Sequence, residues 1–482
     1  MPIQVYNTLS REKEEFRPIN AERVGFYVCG PTVYDYFHVG NARPLVVFDI
    51  IRRYLIYKGY NVRYVMNLTD IDDKIIMRAT EKGVSSQHLA RTYINAFFED
   101  IQKLGIRPAD IYPRATDHIA DIIDLIQRLI LDEYAYEKGG DVFFDVRKFK
   151  TYAALSRKKL DDLHSGIRIA VDKRKNDPLD FVLWKASKPG EPSWGSPWGP
   201  GRPGWHIECS SMSMKYLGES FDFHAGGQDL IFPHHENERA QSEAASGKPF
   251  ARYWLHNGFL DIHGEKMAKS AGNFISAREL LKTCTAAAFR LFLSQKHYRS
   301  PVEFSNELLQ AAVTTSSRLS ASISKIHAFA GSYFDSQGSV PVAVTAAQQD
   351  YKKAIDKLHQ NAVIAMDDDF NTPAAISHIF DLVRVTNKFI ADSESEEIDR
   401  ELVAIGLKYL EDHNSYLGIW GLGDSQVESE KIADVVDAIL RIRQDLRQKK
   451  HYDAADGIRD ELLKSGLTIE DAPEGATWRW SD

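Results

Sequence analysis

Two short runs of strand-forming residues, Val24 to Cys29 and Val62 to Asn67, are separated by a turn and one helix-length stretch, and this order restricts the fold more than any other feature of the chain. The first run reads as a buried strand and Gly30-Pro31-Thr32 as a turn. His38-Val39-Gly40-Asn41 then leads into an amphipathic stretch from Leu45 to Tyr57 that stops at Gly59. Two strands joined through a helix lie parallel, as a βαβ unit, because an antiparallel pair needs only a tight turn. The loop leaving the first strand therefore sits at its carboxyl end, where open α/β sheets place their ligands. Gly40 lets the backbone approach a bound nucleotide, the helix start offers free N–H groups and a positive dipole end, and His38 is placed to donate to phosphate oxygens. Alone, His-x-Gly-Asn also fits an ordinary turn with an incidental histidine.

Four potential ligands of a soft metal are scattered along the chain: Cys29, Cys209, His234 and Glu238. His234 and Glu238, within His234-His235-Glu236-Asn237-Glu238, share a face if that stretch is helical, since side chains four residues apart stack. Two thiolates, an imidazole and a carboxylate suit one Zn²⁺. The spacing by itself is also met by packed cysteines and a solvated His–Glu pair. Residues 205 to 263 hold six of the sixteen histidines, and some of these are expected to orient metal ligands rather than to act as general bases. After a strand-like run from Trp254 to Ile262, Gly264-Glu265-Lys266-Met267-Ala268-Lys269-Ser270 carries two lysines on a glycine-bounded loop. Their charge suits a pyrophosphate leaving group as it becomes more negative, although a lysine pair alone also fits a solvated loop.

The order of these motifs resembles the class I aminoacyl-tRNA synthetases, and within them the cysteinyl-tRNA synthetase family. The likeness covers nearly the whole chain. Its diagnostic stretches are Tyr27-Val28-Cys29-Gly30-Pro31-Thr32-Val33-Tyr34, Thr69-Asp70-Ile71-Asp72-Asp73-Lys74, Gly204-Trp205-His206-Ile207-Glu208-Cys209-Ser210, Gly226-Gly227-Gln228-Asp229-Leu230 through Glu238, and Lys266 to Ser270. The resemblance implies an α/β fold whose Rossmann-like parallel-sheet catalytic domain is split by an insertion and followed by an α-helical bundle and a small C-terminal anticodon-binding domain. The expected boundaries are 1–116 and 204–252 for the split catalytic domain, with the zinc site in its second half, and 117–203 for the insertion. A stem-contact region with the lysine loop at 253–305, a helical bundle at 306–420 and an anticodon-binding domain at 421–482 complete the chain.

By the same resemblance, Cys29, Cys209, His234 and Glu238 hold one zinc per chain, which recognises the substrate thiol. ATP with Mg²⁺ is contacted by Gly30, Thr32, His38, Gly40, Asn41, Lys266 and Lys269, of which His38, Asn41, Lys266 and Lys269 are the catalytic group. Tyr27, Thr69, Trp205 and Asp229 line the cysteine pocket, Asp229 being suited to the ammonium; capping or packing roles for Thr69, Trp205 and Asp229 remain open from the residues alone. Activation needs no general base, because the substrate carboxylate is already a nucleophile. The cysteinyl group then passes to the terminal ribose of tRNA-Cys, first to the 2′-hydroxyl. The sequence departs from the family at Ala268, where its usual loop has serine, and at Lys282 to Ala288, which lacks expected acidic and proline residues.

The zinc also makes chemical sense. Cysteine and serine are nearly isosteric, and pocket shape alone separates such pairs by only ~10². Zinc deprotonates a coordinating thiol, whereas a hydroxyl is a weaker acid and a harder ligand. No separate editing domain is then needed, and the length leaves no obvious room for one.

The composition, 482 residues with 43% hydrophobic and 27% charged, fits an enzyme of about three domains. No signal peptide or eighteen-residue apolar run is present, and three cysteines point to a reducing compartment, so a cytoplasmic protein without membrane association is expected; a monomer is expected too, though none of these features bears on it. Cys284 reads as a packed residue. The net charge of −8 does not exclude RNA, because binding needs only a local patch. Arg441, Arg443, Arg447, Lys449 and Lys450 face a single acid, Asp445, in a run that alone fits a solvated helix face; with the resemblance it fits tRNA contact, as do Trp478 and Trp480 stacking on anticodon bases, a packed cap being equally open for one of the two. Two rival readings are a ligase that acylates a small amino sugar, which should lack the carboxyl end, and a non-catalytic RNA-binding zinc protein, which has no use for two nucleotide segments.

Overall fold

Every residue of strand β1 (Val24–Val28) is buried, because the strand lies inside a parallel sheet covered on both faces, which is why it reads as an unbroken apolar run. The computed structural model describes residues 2–159, 173–262, 265–266, 274–334, 345–393, 397–422, 436, 438–449, 451–464, 467–472 and 475–480. With β2 (Val62–Met66), β3 (Phe221–Gly227) and β4 (Ala251–Asn257), β1 forms a sheet of order β4-β3-β1-β2 in which all neighbours are parallel. The register sets Tyr27 beside Val65 on one side and beside His224 on the other. The chain leaves β1 through helix α1 (Val39–Tyr57) to reach β2, then returns much later on the opposite side of β1. That reversal opens a crevice at the carboxyl ends of β1 and β3.

Helix α1 starts at Val39, ahead of the stretch expected from the pattern, and it is not amphipathic. Buried residues run round it from Val39 and Ala42 to Tyr54 and Leu55, because the sheet packs on one side and helices Ala286–Ser294 and Glu397–Leu417 on others. The buried Arg43 guanidinium donates to the carbonyls of Gly258, Phe259, Tyr298 and Ser300, so α1 is tied directly to the segment that follows β4.

Between β2 and β3 the chain builds a second sheet, antiparallel and in sequence order: Ala135–Lys138, Asp141–Phe144, Phe181–Ala186 and Gly201–Pro203. The proline- and glycine-rich loop before its last strand is held by paired hydrogen bonds between Trp194 and Gly201. Helix α2 (Trp205–Leu217) leads back to β3, and α3 (Glu236–Ser246) joins β3 to β4. Four long helices follow, Asn306–Ala330, Ala346–Asp367, Thr372–Asp392 and Glu397–Leu417, and share one continuous core with the parallel sheet. The Phe370-Asn371-Thr372-Pro373 interruption is a helix start, with Asn371 accepting from the Ala374 N–H and Pro373 in the first turn. Cys284 is buried, as its isolation implies. No helix among the described residues is long and apolar enough to cross a membrane.

The chain divides into two compact units, Met1–Leu422 and Gly423–Asp482. In the second, residues 438–448 and Tyr452–Lys464 are helical. They accompany an antiparallel hairpin, Leu467–Ala472 with Gly475–Trp480, around a small core of Val436, Leu440 and Leu467. The basic run departs from a wholly solvated face at Arg443, which is buried and donates from Nε to the Ala455 carbonyl. Lys450 and the side chains of Trp478 and Trp480 lie outside the described residues.

Candidate active site

Cys29 directly follows β1, Cys209 lies on α2, and His234 and Glu238 come from the turn before α3 and its first turn. One ligand atom from each lies within 4.8 Å of all the others. The helical turn that carries His234 starts after the extended Phe232 and runs into α3 at Glu236, so the pair stands four residues apart on helical backbone. His234 Nε2 lies 2.9 Å from Glu238 Oε1.

The separations within this group match a tetrahedral zinc. Two thiolates at about 2.3 Å from such an ion stand about 3.8 Å apart, and a thiolate and a carboxylate oxygen about 3.5 Å apart. Cys29 Sγ is 3.9 Å from Cys209 Sγ and 3.3 Å from Glu238 Oε1. Neighbouring histidines fix the donors: His224 Nε2 lies 2.7 Å from Glu238 Oε2, and His206 Nδ1 lies 2.8 Å from His234 Nδ1, leaving His234 Nε2 facing the thiols. A second combination, Cys29, His224, His235 and Glu238, is equally compact. It has one thiol, and its His224 already serves the outer oxygen of Glu238, so the two-thiol set is the softer and better oriented.

The electrostatics of the two-thiol set favour a cation. Burial alone would raise Glu238, but the charges of His224 and His234 hold it well below the usual carboxylate range. Burial would lower His234, yet Glu238 and Cys209 raise it to about 10. For Cys209, burial pushes upward, but hydrogen bonds from Cys29 and His234 outweigh it and bring the thiol to about 7; burial pushes Cys29 up. His206 falls to about 3 through burial and the nearby His234, so it stays neutral and able to orient its neighbour. The shifts describe a mutual network in which Glu238 is held ionised by the histidines and His234 holds a proton against Glu238 and Cys209, a position that a divalent ion would take over from that proton.

The nucleotide segments converge on the same end of the sheet. His38 is the N-cap of α1 and its Nδ1 accepts from the Asn41 N–H at 3.3 Å, while Gly40 is half-buried and Asn41 exposed at the helix start. Strand Glu265–Lys266 pairs with Leu260–Ile262, and the chain reappears beside His38: Val39 N–H donates to the Ile275 carbonyl, and Ala277 N–H to that of Phe37. The ends of the lysine loop thus flank α1. Lys269 and the Lys266 side chain lie outside the described residues. Thr32 bridges Thr69 in a short parallel pairing, which draws the Gly30–Thr32 turn against the segment after β2.

The four expected pocket residues occupy different settings. Trp205, 40% exposed, stacks on the His234 ring with centroids 4.2 Å apart, so it is not core. Tyr27 is wholly buried, with its ring 5.3 Å from that of His224. Asp229 is exposed in a single 3-10 turn after β3. Thr69 is 1% exposed and donates to Glu208 Oε2 at 3.3 Å. The individual roles of His206 and His224 were not assignable from sequence, although the density of histidines between 205 and 263 was the signal. Glu208 lies inside a quoted diagnostic stretch and Asn67 two residues before another, but neither residue type carried a signal of its own.

Comparison with known proteins agrees across the chain. Residues 15–314 match the family model "tRNA synthetases class I (C) catalytic domain", 363–420 the DALR domain and 429–479 the "Cysteinyl-tRNA ligase anticodon binding domain". The chain is 48% identical to the cysteine–tRNA ligase of Heliobacterium modesticaldum, covering 99% of this chain and 100% of that one, and 46% identical to that of Thermococcus gammatolerans over 99% of each. A Mycobacterium tuberculosis methionyl-tRNA synthetase in complex with methionyl-adenylate shares the fold, with a TM-score of 0.62 at 19% identity over 82% of this chain and 90% of that one.

Proposed function

The chain belongs to the cysteine–tRNA ligase family of class I aminoacyl-tRNA synthetases, and from that membership we propose that it selects its amino acid through one zinc ion held by Cys29, Cys209, His234 and Glu238. The reaction is that of the family: L-cysteine and ATP give cysteinyl-adenylate, and the cysteinyl group passes to the 3′ end of tRNA-Cys. The observation that carries the zinc reading is the 3.9 Å separation of two sulfurs supplied by residues 180 positions apart. When bound, the ion supplies a Lewis acid that takes a thiolate in preference to a hydroxyl.

The chain's own residues do the rest. Trp205 and Tyr27 wall the amino acid beside the metal ligands, and Asp229, on the exposed turn after β3, receives its ammonium. The Gly30–Thr32 turn and Gly40 let ATP, with Mg²⁺, lie against the backbone at the start of α1. His38 and Asn41 hold phosphate oxygens there, where the helix dipole favours negative charge. Lys266 and Lys269 place positive charge on the departing pyrophosphate. Positioning and charge suffice, since the cysteine carboxylate attacks the α-phosphate unaided. The basic run of the terminal unit contacts the anticodon through Arg441, Arg447 and Lys449, with Arg443 committed to its own core.

The test is exchange of pyrophosphate into ATP together with metal analysis. Exchange is expected with cysteine and not with serine, in protein carrying about one zinc per chain. Exchange stimulated equally by both amino acids would contradict selection by the metal. Lys269→Ala is expected to slow adenylate formation by about 10²–10³, the cost of losing one transition-state donor, with cysteine affinity little changed. Pre-steady-state rates read beside equilibrium cysteine binding separate the two; a loss confined to binding would remove Lys269 from the leaving-group role.

A further inference from the structure

Thr69 stands where the resemblance puts a wall of the cysteine pocket, but its hydrogen bonds run into the protein. The Gly30 N–H donates to Asn67 Oδ1 at 2.8 Å, which fixes the direction of the Asn67 amide. Asn67 Nδ2 therefore faces Thr69 and donates to Oγ1 at 3.2 Å, and the Thr69 hydroxyl donates onward to Glu208 Oε2 at 3.3 Å. A hydroxyl has one proton to give. That of Thr69 is committed to Glu208, one lone pair is taken by Asn67, and the residue is 1% exposed.

The ends of this relay are the neighbours of the two thiol ligands, since Gly30 follows Cys29 and Glu208 precedes Cys209. Asn67, Thr69 and Glu208 are all buried at 1% exposure, so each bond is shielded from competing water. Gly30 approaches Asn67 so closely that a Cβ there would lie 1.8 Å from the Asn67 carbonyl oxygen; only glycine allows the contact. Cys29 directly follows β1, its N–H bonded to the Ala225 carbonyl of β3, while Cys209 belongs to helix α2, and no covalent constraint short of 180 residues joins them. We infer that Asn67, Thr69 and Glu208 form an internal strut that sets the distance between the Cys29 and Cys209 sulfurs. Thr69 is thus a positioning residue for the metal ligands.

The inference rests on the zinc reading, and the test keeps the two apart. Zinc affinity of the full-length protein is measured by competition with a chromophoric chelator, and the cobalt-substituted protein is read for its thiolate-to-metal charge-transfer band. Thr69→Val keeps the shape and removes the hydroxyl, so it is expected to weaken zinc about 10–100-fold, the usual cost of losing a partner behind a metal ligand, and to alter the cobalt band. Thr69→Ser, which keeps the hydroxyl, is expected to bind zinc like the unaltered protein. Thr69→Ala provides a second removal of the hydroxyl should the valine variant fail to fold. Unchanged zinc affinity in the valine or alanine variant, with a raised KM for cysteine, would make Thr69 a pocket wall and overturn the strut. Equal loss of zinc in the serine and valine variants would also overturn it, because the hydroxyl would not be the cause. Unaltered protein that binds no zinc would instead overturn the zinc reading itself.

Discussion

Cys209→Ser is expected to lower bound zinc and cysteine-dependent pyrophosphate exchange together, each by more than about 100-fold, because loss of a ligand exceeds the 10–100-fold cost of losing a partner behind one. The substitution is nearly isosteric, but a hydroxyl does not ionise as the Cys209 thiol does, with its pKa brought to about 7. The remaining set of one thiol, His234 and Glu238 is harder and one thiolate short. Metal analysis and exchange on the same preparation decide the matter, with a thermal melt to show that the buried core around Cys209 is intact. Active unaltered enzyme with no zinc would sink recognition of the thiol by metal. A variant that kept its zinc and its activity would remove Cys209 from the ligand set.

Removing the residues after Leu422 is expected to leave cysteine-dependent exchange largely unchanged and to reduce charging of tRNA by roughly 10²–10⁴, if two or so bases each lose a stacking contact of about 1–3 kcal/mol. The cut falls between two compact units, Met1–Leu422 and Gly423–Asp482, each with its own core. The first contains the whole parallel sheet, the metal cluster and the start of α1. The second is the stretch that matches the cysteinyl-tRNA ligase anticodon binding domain. Charging by the full chain should weaken with added salt as phosphate contacts give up counterions. A folded, shortened protein that charges tRNA as well as the whole chain would show that the terminal unit is not the anticodon reader.

The parallel sheet was legible because its strands are apolar runs bounded by turns, and a βαβ crossover has few alternatives. The direction of α1 was legible too, but not its burial. Periodicity reports one buried face, and the helices that cover its other sides come from residues near 290 and 410, far along the chain. Cys29, Cys209, His234 and Glu238 stand out because soft and imidazole ligands are few, and the fold brings them within 4.8 Å. Their partners did not stand out. Glu208 looks like any helix carboxylate and Asn67 like a strand terminus; only the register that sets β2 beside β1 places the Asn67 amide under Gly30. Arg443 was similarly hidden, because a basic run gives no sign of which arginine turns inward to Ala455. In each case the missing information is a tertiary hydrogen bond, which leaves no period in the sequence.

The order β4-β3-β1-β2 also sets a timetable for the nascent chain. Strand β1 is complete at residue 28, but β3, its neighbour on one side, begins only at residue 221. At a synthesis rate of about 5–20 residues per second, that edge of β1 waits on the order of 10–40 seconds without its partner. An unpaired apolar strand is a template for aggregation. During the same interval the antiparallel sheet from Ala135 to Pro203 is made, and its strands pair in the order in which they emerge, so its pairing can begin from local contacts. The half-built parallel sheet thus emerges ahead of an insertion whose core is itself completed by Ile207 of α2 and by Ala240 and Ala245 of α3, and the arrival of α2 and β3 seals the open edge and delivers the second cysteine in one step.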